Sequence, residues 1–283
     1  MKLNFTKMHG CGNDYIYFNC MEQELANPEE IAIALSHRHF AVGGDGIVMI
    51  CASTVADAKM RMFNIDGSEG KMCGNAIRCV GKYLYDNKIV AKTEIAIETL
   101  SGIKYLTLTV CNDKVRSVKV DMGAPILVPT QIPVNMEGDI VISKPLTVDG
   151  KEYAITCVSM GNPHAIIFTT GVDDLELEKL GPKFENHPVF PERVNTEFAE
   201  LRPDGVIRMR VWERGSGETF ACGTGACATA VAAVLNGHKE KNQDITISLL
   251  GGDLSICVAD ETVWMTGPAT KAFDGTVDLE DLK

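Results

Sequence analysis

The sequence predicts an α/β (α+β) protein made of two pseudo-symmetric copies of one domain, and three observations predict it. The segment MRMFNIDGSEGKMCGNAIRC from Met60 lies over MRVWERGSGETFACGTGACA from Met209 at an offset of 149 positions (209 − 60). Stretches of alternating apolar and polar residues recur in both copies as strand pairs. Each copy also carries one stretch with helical spacing, directly after a Cys-Gly pair.

Taken along the chain, the first match is Gly12-Asn13 in HGCGNDYIYF, which falls on Gly161-Asn162 in SMGNPHAIIF. The next segments, KMRMFNI and VIRMRVWE, alternate as strands do, and Arg61 meets Arg210 while Phe63 meets Trp212. Glu69, Cys73 and Gly74 then meet Glu218, Cys222 and Gly223. Helices follow from Gly74 to about Asp86 and from Gly223 to about Asn236, the second rich in alanine. Strand pairs TEIAIETL with KYLTLTV and DITISLL with LSICVAD turn at Ser-Gly or Gly-Gly. There the register becomes 150 (245 − 95), as a one-residue loop insertion requires.

The period is far too long for a solenoid, so the repeat unit is a whole domain. The Pro- and Gly-containing text from Met122 to Val134 marks the boundary, giving domains at 1–121 and 122–267. The segment 268–283 is expected to pack back on the first domain, and the active site is expected between the copies.

Composition narrows the function. With 45% hydrophobic and 23% charged residues, the 283-residue chain is too apolar for disorder and large enough for two cores. The formal charge of −11 argues against nucleic acid or an anionic membrane surface as partner. No signal-peptide core opens the sequence, and Ala221 to Leu235 is shorter than the roughly 20 apolar residues of a membrane span. A cytoplasmic protein is therefore expected. Its ten cysteines are too dilute for a disulfide scaffold and read as thiols.

A single cysteine is most simply a small buried hydrophobe. Cys73 and Cys222, however, are the one cysteine pair that the offset superimposes, and both stand at a helix start, where unpaired N–H groups and the dipole favour an anion. Lowering a thiol from pKa 8.5 to 7 takes about 2 kcal/mol, within reach of the dipole. Two thiolates facing each other across one carbon, about 7 Å apart, would repel enough to hold one proton between them. One then removes a proton from one face while the other delivers to the opposite face, which inverts a stereocentre.

The polar residues nearby suit a zwitterion. Asn13, Asn64, Asn75, Asn162 and Asn195 offer amides, while Glu213 and Arg214 match an ammonium and a carboxylate. An isolated Asn is more simply a turn or cap residue, and His164 alone decides nothing.

Together HGCGNDY, FNIDGSEGKMCGNAIRC, SMGNPHA, FPERVN, ERGSGETFACGTGACA and MTGPA resemble diaminopimelate epimerase through nearly the whole chain. The resemblance implies two domains that are each a curved, mostly antiparallel sheet around a central helix. It implies interconversion of LL- and meso-diaminopimelate, in the route to lysine and cell-wall peptide, with no pyridoxal phosphate, other cofactor or metal. Cys73 and Cys222 take the acid/base roles. Asn13, Asn64, Asn162, Asn195, Glu213 and Arg214 take the substrate, with Gly74-Asn75 and Gly223-Thr224 as cradles for its carboxylate. His164 and Glu213 modulate the thiols, and Phe273 stands where a homodimer interface is expected. Many members carry Gln where this chain has Gly46, which leaves Gly46 in doubt as a ligand.

Three other readings fit less well. Proline and hydroxyproline racemases have His after the first Cys-Gly, where this chain has Asn75. Gly223, Gly225 and Ala228 fit a dinucleotide fingerprint, but Asp244 precedes the next strand instead of ending it. A structural zinc site lacks both C-x-x-C and His at ligand spacing.

Overall fold

The computed structural model describes residues 2–282. It divides into two compact units, one from residues 2–120 with 267–282 and the other Asp121–Thr266.

The first unit runs β1 (Lys2–Gly10), β2 (Asn13–Cys20), α1 (Pro28–Ser36), β3 (Gly46–Cys51), β4 (Ala58–Asn64), β5 (Glu69–Gly70), α2 (Gly74–Asp86), β6 (Glu94–Thr99), β7 (Gly102–Cys111) and β8 (Lys114–Asp121). The second unit runs β9 (Lys144–Val148), β10 (Lys151–Ser159), β11 (Pro163–Phe168), α3 (Leu177–Glu185), β12 (Asn195–Leu201), β13 (Ile207–Glu213), β14 (Gly217–Glu218), α4 (Gly223–Leu235), β15 (Asp244–Leu249), β16 (Gly252–Val258) and β17 (Val263–Pro268). The chain ends with β18 (Thr270–Asp278), which pairs with β1 as β9 pairs with β10.

Each sheet is antiparallel except at two places, β2 beside β3 and β4 beside β6 in the first unit, β11 beside β12 and β13 beside β15 in the second. Both exceptions are crossovers with a helix in between, α1 or α3 before the first and α2 or α4 before the second. Strands near both ends of the pairing order touch the same helix: α2 packs on β1, β2 and β7, and α4 on β10, β11, β12, β15 and β16. A sheet whose distant strands share one helix has curled around it.

The sequence explains why α2 and α4 take that place. α4 is apolar all round, with Ala226, Cys227, Ala228, Ala230, Ala232 and Ala233 unexposed, as suits a helix without a solvent face. On α2 the bare Gly81 admits β7, since a Cβ there would meet Leu106 at 2.9 Å.

The helical spacing picks out one helix per copy, and the structure has a second in each. α1 and α3 are displaced by the same 149 positions at both ends (177 − 28 and 185 − 36). Each covers the outer sheet face. Leu35 of α1 joins a core with Ile16, Phe18, Met49 and Phe63, and Phe184 of α3 joins the equivalent core with Ala165, Ile167, Phe198 and Trp212. Central strands such as β2 and β3 are thus buried on both faces and read as continuous apolar runs. Among the described residues no helix is long and apolar enough to cross a membrane.

Candidate active site

Both cysteines singled out by the repeat are helix N-caps. Cys73 is extended (φ −133°, ψ 122°) ahead of α2, and its Sγ accepts the Ala76 N–H at 3.5 Å. Cys222 is extended (φ −109°, ψ 107°) ahead of α4, and its Sγ accepts the Gly225 N–H at 3.4 Å. Each sulfur therefore takes one of the first-turn donors that a helix cannot satisfy internally.

Beside Cys73 stands an amide. The thiol donates to Asn13 Oδ1 at 3.4 Å, and Asn13 Nδ2 donates to Asp45 Oδ2 at 2.7 Å. Asp45 and Asp14 are in turn bridged by Arg38, at 2.9 and 2.7 Å. Burial, then the charge of Asp14, holds the Asp45 carboxyl above its usual range. Asp14, Arg38 and Asp45 were not legible as site residues, since nothing in the sequence sets them apart from a solvated cluster. Asn64 ends β4 and donates to Ser68 Oγ at 3.0 Å. Asn75 is turned inward, its Oδ1 accepting from Arg78 Nη2 at 2.9 Å, with the Arg78 side chain wholly buried. Gly46 takes φ 146°, and a Cβ on it would stand 2.0 Å from the Phe63 carbonyl oxygen. On this chain's backbone no side chain fits there, so Gly46 offers a substrate no side-chain contact.

Around Cys222 the groups titrate. Thr224 Oγ1 lies 3.5 Å from the sulfur and accepts from Asn162 Nδ2 at 3.3 Å. Asn162 Oδ1 meets His164 Nε2 at 3.1 Å, and His164 Nδ1 meets Glu197 Oε1 at 2.6 Å. The charge of Glu213 also acts on Cys222, and the Glu213 carboxylate takes a hydrogen bond from Thr219. Burial lifts the Glu213 carboxyl above its usual range despite that bond and the nearby His164. Asn195 is buried, its Nδ2 donating to Pro163 O at 2.8 Å and its Oδ1 accepting the Arg214 N–H at 2.9 Å. The Arg214 guanidinium donates to Glu192 O at 2.9 Å. Phe273 stands apart on β18, half exposed, with its ring edge-on to Phe5 at 6.0 Å.

At the start of α4 the dipole does not prevail: the Cys222 thiol is pushed well above its ordinary value, first by burial and then by the charges of Glu213 and Glu197. The hydrogen bonds from Thr224 and the Gly225 N–H pull the other way and lose. Dehydrating an anion beside two carboxylates costs more than a dipole worth up to about 2 kcal/mol returns. Cys222 rests as a thiol.

Glu197 is the residue the sequence reading missed. It sits in β12, wholly buried, and the sequence around it, with the polar Asn195 and Thr196 just before it, gave no signal that set it apart. His164, Glu197 and Cys222 offer nitrogen, oxygen and sulfur within 4.8 Å of one another. Ligands on one zinc ion at about 2.0 Å each stand more than 3 Å apart. The 2.6 Å between His164 and Glu197 is instead the separation of a charge-assisted hydrogen bond.

Comparison with known proteins places this geometry. The family model described as diaminopimelate epimerase matches residues 5–128 and 156–272. A diaminopimelate epimerase of Acetivibrio thermocellus is 57% identical over 99% of this chain and all of its own length. One of Methanococcus maripaludis is 55% identical over 98% of this chain and all of its own. Among solved structures, a probable proline racemase of Agrobacterium radiobacter superposes with a TM-score of 0.74, covering 98% of this chain and 93% of that one at 16% identity. A phenazine biosynthesis protein of the PhzF family from Bacillus anthracis gives 0.72, covering 99% and 100% at 16% identity. These two share the fold. With the family model matching both repeats and curated relatives more than half identical along the whole chain, the chain belongs to the diaminopimelate epimerase family.

Proposed function

We propose that this chain epimerises LL-diaminopimelate to meso-diaminopimelate without pyridoxal phosphate, Cys73 and Cys222 acting as base and acid on one α-carbon. The observation that carries this reading is the occurrence of two thiols at equivalent helix N-caps in a chain so similar to diaminopimelate epimerases.

Cys222 holds its proton in the resting protein, so it serves as the acid for the first turnover and Cys73 takes the substrate proton. As that proton leaves, charge spreads onto the substrate carboxylate. The first-turn amides of α2 and α4, at Gly74-Asn75 and Gly223-Thr224, are placed for such a charge by helix geometry. Asn13, Asn64, Asn162, Glu213 and Arg214 orient the zwitterion, and Asn195 fixes the Arg214 backbone. The half-exposed Phe273 is the anchor of a homodimer in this reading, and the enzyme works in the cytoplasm on a precursor of lysine and peptidoglycan.

Proton NMR of LL-diaminopimelate with reduced, metal-free protein in deuterated water tests the reading. Loss of the α-proton signal with appearance of the meso isomer is expected. A substrate that exchanges no α-proton would remove diaminopimelate from this site.

A further inference from the structure

His164 lies between two hydrogen-bond acceptors. The Asn162 amide is oriented by its Nδ2 donating to Thr224, which turns Oδ1 toward the imidazole Nε2 at 3.1 Å. A carbonyl oxygen only accepts, so Nε2 carries a proton. On the other side Nδ1 meets Glu197 Oε1 at 2.6 Å. That contact holds a second proton, on the ring or on the carboxyl, so histidine and glutamate together bind one proton more than a neutral imidazole beside a carboxylate.

The other titratable groups facing His164 are acids. Glu213 approaches from β13, Cys222 from the start of α4, and Cys157 on β10 feels the charge of Glu197. None supplies a positive charge. The wholly buried imidazole has the Glu197 carboxylate as the hydrogen-bond partner of its Nδ1.

The fold makes room for this carboxylate. A Cβ at Gly225 would come within 2.5 Å of Glu197 Oε1, so the first turn of α4 is bare where the carboxylate enters. Glu197 Oε2 is buried without a hydrogen-bond partner, which a residue kept only for packing would not impose on the core. In the first repeat the offset puts Val48 in the place of Glu197 and Tyr15 in the place of His164. The device belongs to the Cys222 thiol alone.

We propose that Glu197 is a positioning residue that keeps the Nδ1 proton on His164, so that the imidazolium offsets the Cys222 thiolate whenever that sulfur is ionised during turnover. The proposal rests on the two-thiol reading. Without that positive charge, the Cys222 sulfur would ionise in a dry site facing only carboxylates.

The test is Glu197→Gln, which keeps shape and lets the new amide donate to an unprotonated Nδ1. In nitrogen-15 histidine NMR of the substrate-free protein, His164 is expected to show two slowly exchanging ring N–H signals, and only the Nε2 signal in the variant. The acid limb of kcat/KM for meso-diaminopimelate, the direction in which Cys222 must be the thiolate, is expected to move up by about one unit, a roughly tenfold loss at neutral pH. The LL-to-meso direction falls by the same factor at that pH, because the equilibrium constant fixes the ratio, and thermal stability is retained. A single ring N–H in the wild-type protein overturns the proposal even if the variant fails to fold. So does a variant with the wild-type pH profile. Wild-type protein that does not epimerise diaminopimelate would instead remove the underlying reading, and leaves the NMR result standing by itself.

Discussion

Glu213 closes β13 in the second repeat at the place where Asn64 closes β4 in the first, and it brings a carboxylate charge to bear on the Cys222 thiol where the first repeat has an amide. The duplication has therefore kept the N-cap cysteines and changed what surrounds them. A carboxylate beside a thiol favours its neutral form, so removing that charge favours the thiolate. In a Cys73→Ala background, Glu213→Gln should shift the pH midpoint for alkylation of Cys222 by iodoacetamide to lower pH, read by mass spectrometry of the Cys222 peptide. An unchanged or higher midpoint would show that the charge of Glu213 does not hold that proton.

Removing either sulfur separates chemistry from folding. Cys73→Ala or Cys222→Ala should lower kcat by at least the roughly 10²- to 10⁴-fold carried by one positioned acid or base. The fold should survive, because each variant loses one N-cap acceptor, worth about 1 kcal/mol. Kinetics on LL-diaminopimelate with circular dichroism of the same samples checks both halves, and near-normal turnover in either variant would sink the two-thiol mechanism.

What the sequence revealed and what it hid divide along physical lines. The N-caps, α2, α4 and the strand pairs of β6 with β7 and β15 with β16 were legible because periodicity and the internal repeat coincide there. α1 and α3 were not, although the same offset locates both. Nine residues make a weak periodic signal, and α3 carries Pro182 within it. Asp45 and Glu197 were hidden for a different reason. Their roles come from partners far along the chain, Asn13 and His164, and local spacing carries no trace of such pairings.

Gly46 is a backbone requirement. At φ 146° with the Phe63 carbonyl 2.0 Å from where a Cβ would stand, even alanine forces β3 off β4. Gly46→Ala should therefore destabilise the protein by about 1–3 kcal/mol, the usual scale of a forced backbone conformation. Urea unfolding of both proteins measures it, and a variant as stable as the parent would mean that β3 adapts at no cost.

Cys79 gives a pH signature of the first unit's interior. It lies on α2 with no exposed surface, and burial raises its thiol to about 11 against the pull of Tyr17 and the Arg78 charge. An unfolded thiol ionises near 8.5, roughly the value for a solvated cysteine. Below that pH both states keep the proton and Cys79 adds no pH dependence. Between there and about 11 the unfolded chain releases a proton that the folded protein retains, so stability falls as pH rises, each unit changing the folding equilibrium up to about tenfold. Cys79→Ala abolishes this slope and substitutes a cavity cost that does not vary with pH. The wild-type advantage over the variant should accordingly be constant up to about pH 8.5 and shrink steadily above it, in urea unfolding run under reductant at pH 7.5, 9.5 and 10.5. An advantage that stays constant through the highest pH would mean that water reaches the α2 interior and that the sheet does not close around the helix as tightly as its contacts indicate.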